Sequence, residues 1–266
     1  MAKSKRLRSR RQVVSKRFMF TTVTVAFVVG ALSGVAIYSL TIRLSQTRGQ
    51  QLFLEEGEIK TLSTKIVAVS SDGSGVICEL NVELEKGSGR ILTDTNTLVG
   101  FDFQEAERTA VEVAAEITGT ALDDDGVGLK GADVFFSVSV PTNQTVEIQS
   151  IDGPSAGAAT TIAMIAAIEN RQVKNNVIIT GTVNADHTIG LIGGVYAKAE
   201  AAHGEGATLF LVPKGQYVEV SKQAGRFSYT EDEPISYLQN YAQQQGWGLQ
   251  IQEVSTIEDV ANLMLE

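Results

Sequence analysis

Two side chains in this 266-residue sequence can supply a nucleophile and its base without using a histidine. Ser155 stands in "DGPSAG", residues 152–157, where a turn signal meets a run of small apolar residues with helical character. Pro154 suits the start of a helix, where backbone amides are unpaired and carry partial positive charge. A serine there is either an ordinary cap or a nucleophile beside donors for a developing oxyanion. A nucleophilic serine also needs a base. His187, in the turn "NADHTIG", and His203, in "AAHGEG", are the two histidines, and both read as surface residues. The other option is a lysine buried deeply enough to lose its proton near neutral pH. Lys198 fits that description. It lies in "LIGGVYAKAEAA" among Ile192, Val195 and several alanines, with no acidic neighbour before Glu200. Taken singly, both positions also fit a bland reading, a capping serine and a solvated lysine.

The elements that must position these two residues follow from the hydrophobic pattern. "STKIVAVSS" and "GVICELNVELEKGSGRIL" read as a hairpin followed by a further strand. Phe103 to Thr118 carries apolar residues at helical spacing with acidic residues opposite. "DDDGVGLKG" is a loop and "ADVFFSVSVP" a strand. Beyond the helix that Ser155 opens come a strand "VIITGTV", a glycine turn into the helix carrying Lys198 and closed by Gly204, and a strand "ATLFLVPKG". A helix around "SYLQNYAQQ", a strand "WGLQIQEV" and a helix "STIEDVANLML" complete the chain, with Ser255 and Glu258 spaced as a capping box. Strands and helices alternate from about residue 98, which implies a single α/β or α+β domain.

Composition excludes several functions. Eight of the 22 Lys and Arg residues fall within residues 1–17, leaving 14 against all 31 Asp and Glu in the rest. So acidic a body has no basic stripe with which to grip nucleic acid. Cys78 is the only cysteine, so no intramolecular disulfide can form, and two histidines give no zinc-ligand spacing. Neither a metal nor a cofactor is expected.

Phe18 to Ile42 contains no charged residue. As a helix its 25 residues would reach about 37 Å, enough for a hydrocarbon core of about 30 Å. A cleaved signal peptide is the competing reading, but its apolar region should be shorter. The expected order is therefore a basic cytoplasmic N-terminus (1–17), a transmembrane anchor (18–42), a juxtamembrane linker or short helix (43–60) and one domain (61–266). The basic cluster before the anchor puts the N-terminus in the cytoplasm and the acidic body outside it.

Four segments extend the argument. "DGPSAG" at 152–157, "TG" at 180–181, "IGGVYAK" at 192–198 and "LFLVPKG" at 209–215 stand in an order and spacing that resemble the proteolytic domain of Lon proteases. The resemblance covers residues 61–266 and implies an α+β domain. It also implies that Ser155 is the nucleophile, Lys198 the general base, and Thr180 a hydrogen-bond partner of the lysine, with Asp152 in a supporting role. The Ser155 amide, with that of Gly153 or Ala156, would hold the oxyanion. The implied reaction is peptide-bond hydrolysis, with assembly into a hexameric ring as the family analogy.

The sequence departs from the family in places. "TGT" with Thr182 replaces the usual "TGE", and "VYA" brings Tyr196 and Ala197 to positions commonly polar, where an altered groove rim or subunit contact is expected. No G-x-x-x-x-G-K-[ST] occurs in these residues, and "GVGLKG" at 126–131 lacks the spacing. The expectation is an ATP-independent peptidase for peptides or unfolded proteins. The alternative is an inactive scaffold of the same fold at the membrane.

Overall fold

The computed structural model describes residues 49–140, 150–224 and 227–266. The basic N-terminus and the apolar segment 18–42 lie outside the described residues. Among those described, no helix is long and apolar enough to cross a membrane.

A strand hairpin opens the domain. β1 (Ile59–Val69) and β2 (Gly75–Lys86) pair antiparallel over their full length, from Ile59 opposite Glu85 to Val69 opposite Gly75. In β2 the buried Cys78, Leu80, Val82 and Leu84 alternate with Glu79, Asn81, Glu83 and Glu85, so one face enters the core. Each fully buried Leu or Val contributes about 1.5–3 kcal/mol. β3 (Ile91–Thr93) follows, then β4 (Leu98–Val99) and helix α1 (Phe101–Thr118), which ends on a left-handed Gly119. β5 (Ala132–Ser139) completes a four-stranded sheet in the order β1-β2-β5-β3.

β6 (Ser150–Ile151) pairs in parallel with β4, and a 3₁₀ turn at Pro154–Ala156 leads into α2 (Gly157–Glu169). Residues 157–167 of α2 are all buried, which makes it the central helix. Its glycine and alanines let α1 pack closely along it.

β7 (Val177–Ile179), β8 (Thr182–Val183), β9 (Ile189–Gly190) and α3 (Val195–Gly204) come next, then β10 (Leu209–Pro213). β11 (Tyr217–Ala224) and β12 (Phe227–Pro234) form a second antiparallel hairpin. α4 (Ile235–Gln244), β13 (Gln250–Val254) and α5 (Ile257–Met264) end the chain. β13, β10 and β7 make a parallel sheet. Two apolar clusters result, one around α2 and the β1–β2–β5 face, the other around Ile178, Phe210, Val195 and Leu238.

The mixed α/β single domain agrees with the expected class, and four local readings change. Residues 49–58, read as part of a linker, form no helix; Gln50 bridges to Thr120 and Leu54 enters the core. The segment "VIITGTV" is two strands: Thr180 N–H still donates to Leu211 C=O of β10, but Gly181 turns away from the parallel sheet to donate to Ser155 C=O. The capping box of the last helix uses Thr256 and Asp259, one residue beyond Ser255 and Glu258. The β11–β12 hairpin has no counterpart in the sequence reading.

Candidate active site

The Ser155 turn is built from both sides. Gly153 has φ 97° and ψ 147°, a conformation open only to glycine, and it turns the chain out of β6 so that Pro154 can start the helical residues. Ser155 then sits in the 3₁₀ turn, half-buried, one residue before Ala156 and two before the start of α2.

The Thr180–Gly181 bend is where the strand-to-site switch occurs. Thr180 N–H donates to Leu211 C=O at 3.1 Å, which keeps the bend on β10. Gly181 N–H donates to Ser155 C=O at 2.9 Å, and its own carbonyl accepts from Ala158 N–H at 3.0 Å. The bend is thereby laced to the serine turn.

Lys198 lies in the first turn of α3. The entry to that helix is Gly194, at φ 65°, where an added Cβ would meet the Val69 side chain at 2.7 Å. The Lys198 side chain is 4% exposed, and its Nζ donates to Ser155 Oγ at 2.8 Å and to Thr180 Oγ1 at 3.3 Å. No carboxylate pairs with it among the described residues. Burial without a counter-charge pushes its pKa down to about 8. At pH 7.4 about a fifth of such lysines are neutral.

Ser155, Lys198 and Thr180 are therefore brought together. Asp152 is not part of that contact. Its side chain is exposed, its Oδ1 accepts from Gly153 N–H at 2.8 Å, and its carboxylate lies against Gly100, where an added Cβ would collide with it. The Gly153 amide is thus already engaged, while the amides of Ser155 and Ala156 lie on the turn itself. His187 lies elsewhere, between Glu258 at 2.7 Å and Glu116 at 3.4 Å, and both carboxylates hold its pKa above the ordinary value. His203 stacks on Trp247 with ring centroids 5.0 Å apart. Tyr196 is turned inward from the groove, against Tyr241 and Trp247 at 5.5 and 6.4 Å. Half-buried there, it does not line the cleft, so of the two expectations for it the altered groove rim is the one corrected.

Ser155 and Lys198 open into a cleft of about 800 Å³ whose other walls include Val69, Phe103, Ile151, Leu191 and Ile192. Its lining suits an apolar side chain beside a polar reacting centre. One residue that shapes it has no sequence signal. Gln216, 2% exposed, accepts from Ile192 N–H at 3.0 Å and donates to Ile192 C=O at 2.8 Å and Tyr217 C=O at 2.9 Å. It clamps the segment that delivers α3, and nothing in "PKGQY" distinguishes it from a surface glutamine.

A mixed α/β domain that sets a serine hydroxyl on a buried, uncompensated lysine can deprotonate that serine near neutral pH. Comparison with known proteins agrees with the class. Residues 97–225 match the family described as the Lon protease (S16) C-terminal proteolytic domain. Among similar proteins is a Lon protease of Buchnera aphidicola subsp. Acyrthosiphon pisum, 33% identical over 196 residues, which are 72% of this chain and 21% of that one. A Lon protease of Clostridioides difficile is 31% identical over 140 residues, 53% of this chain and 17% of that one. An archaeal Lon protease of Thermoplasma acidophilum is 23% identical over 197 residues, 71% of this chain and 28% of that one. The chain thus spans 17% to 28% of the length of these relatives.

Proposed function

We propose that this chain is a membrane-anchored serine endopeptidase that hydrolyses peptides or unfolded proteins without ATP. The observation that carries the reading is the 2.8 Å contact between the Ser155 hydroxyl and a lysine amine that is 4% exposed.

In the reaction, neutral Lys198 accepts the Ser155 proton as Oγ attacks the scissile carbonyl carbon. The negative oxygen that forms is held by the amides of Ser155 and Ala156. Gly153 joins them only if its amide leaves Asp152. Lys198 then gives the proton to the departing amine, which leaves an ester on Ser155. The same amine takes a proton from water, the hydroxide so formed attacks the ester, and Lys198 returns the proton to Ser155 Oγ as the C–O bond breaks and the acid leaves. Thr180 holds the amine at a fixed angle through both steps. An apolar substrate side chain in the cleft suits walls such as Phe103, Val69 and Leu191.

The anchor rests on the uncharged run 18–42, and nucleotide independence on the absence of a phosphate-loop motif from these 266 residues. An extracytoplasmic body and a ring of copies belong to the same proposal. The test is cleavage of casein by the full-length chain, with and without ATP and Mg²⁺, beside Ser155→Ala. Nucleotide-indifferent cleavage by the parent alone supports the reading; equal cleavage by Ser155→Ala, or none by either together with no fluorophosphonate label on Ser155, overturns it.

A further inference from the structure

Among the buried ionisable groups that take no part in this chemistry, Glu107 is the one with an unpartnered oxygen among the described residues. Glu107, in the second turn of α1, is 1% exposed. Its Oε2 accepts from Thr93 Oγ1 at 2.8 Å, and its Oε1 has no hydrogen-bond partner among the described residues. A carboxylate so placed is under-solvated, and a protonated carboxyl is the form that burial favours.

The elements packed on α1 place no charge beside Glu107; the titratable group they bring to the helix, His187 of the β8–β9 turn, pairs with Glu116 near its far end. α2 presents only uncharged residues from Gly157 to Ile168, and Glu169 sits exposed-side at its far end with Arg171. The 3₁₀ turn, β3 and β8 contain no titratable side chain. Asp94 beyond β3 is exposed, as is Asp152, which follows β6 and lies beside Gly100 at the head of α1. On α1 itself Asp102, Glu105, Arg108, Glu112 and Glu116 all face outward. Desolvation accordingly outweighs the Thr93 bond and raises the Glu107 pKa to about 7.

α1 is joined to the nucleophile turn at several points. It packs against Pro154–Ala156, its Phe103 lines the cleft one turn before Glu107, and Gly100 at its head donates to Ile151 C=O at 2.8 Å. Building on the peptidase reading, we propose that Glu107 is a positioning residue: protonated, it seats α1 against the Ser155 turn, and ionised, it loosens that seat. Loss of the Glu107 proton forces an uncompensated charge to seek water, and α1 cannot supply it without shifting against the turn.

Glu107→Gln keeps the shape and cannot ionise, so it stands for the protonated state. Hydrogen exchange of amides 154–160 is compared between the full-length parent and this variant. Equal protection is expected at about pH 6, and about tenfold less in the parent at about pH 8.5. Fluorophosphonate labelling of Ser155 gives the second readout. The parent rate should level between about pH 7 and 8 and fall above, while Glu107→Gln continues to rise to about pH 8 and then holds. Thr93→Val removes the bond that favours the carboxylate, so it should move the alkaline fall upward by about half a unit. Identical exchange at pH 8.5, or labelling profiles that differ only in height, overturns the proposal. Absence of Ser155 labelling in every protein is failure of the peptidase reading, and the exchange comparison still decides the role of Glu107.

Discussion

The amine of Lys198 meets the hydroxyl of Ser155 at 2.8 Å across 43 residues of chain, inside a domain that leaves the lysine 4% exposed. Removing either end should abolish turnover. Ser155→Ala and Lys198→Ala are each expected to lower kcat/KM by about 10³-fold or more, with circular dichroism unchanged. Lys198→Arg should be equally inactive, because a guanidinium stays charged and offers no lone pair. Retained activity in a purified Lys198→Arg protein would contradict the base assignment.

The acid side of the pH profile follows from the same lysine. Its pKa is lowered to about 8, so the reactive neutral form is lost as pH falls. Below pH 7 the Ser155 labelling rate should drop about tenfold per unit. A flat rate from pH 5 to 7 would mean that Lys198 does not take the proton.

Thr180 bonds the amine at 3.3 Å and, through the same hydroxyl, the Ser155 carbonyl at 3.3 Å. Thr180→Val keeps the branched shape without the hydroxyl and should reduce kcat about 10- to 100-fold while changing KM little. Thr180→Ser should restore most of it. Steady-state kinetics on casein-derived peptides separates the two variants; equal kcat values for them would remove the hydroxyl from the mechanism.

Gly153 holds a backbone conformation that other residues adopt only under strain, about 1–3 kcal/mol. Gly153→Ala should either lower the melting temperature by several degrees or tilt the turn and silence Ser155. A variant with parental stability and parental labelling would show that the turn tolerates another conformation.

His187 ties the β8–β9 turn to Glu116 on α1 and Glu258 on α5. Its pKa is raised in the fold, so this stabilisation is fully present below the unfolded value and is lost as pH rises through the folded one. His187→Gln should cost about 1 kcal/mol at pH 5.5 and little at pH 9. Melting curves at the two values check it, and a gap that widens with pH would reverse the sign.

Much of the molecule was legible in its pattern. The alternation in "CELNVELE" and the helical spacing from Phe103 to Thr118 are local, and burial of one face is their simplest consequence. Less legible were "VIITGTV" and the stretch 217–234. In the first, Thr180 and Gly181 have strand-like neighbours, yet their hydrogen-bond partners come from Leu211 and Ser155, far away in sequence. In the second, "YVEVSKQA" and "FSYTEDEP" pair only with each other, and much of their surface faces solvent, which weakens the apolar signal that marks a strand.

The site divides in the same way. The sequence by itself determined which residues were eligible: a serine at a glycine-proline turn, a lysine among small apolar residues, a threonine-glycine step between them. Only the tertiary structure decided that, among the described residues, Lys198 is buried without a counter-charge and Glu107 hides one oxygen without a partner, that Asp152 turns to its own loop, and that Gln216 clamps Ile192. Eligibility is a matter of residue type and local spacing. Desolvation and hydrogen-bond pairing depend on which distant surfaces close over a side chain, and those surfaces exist only once the chain has folded.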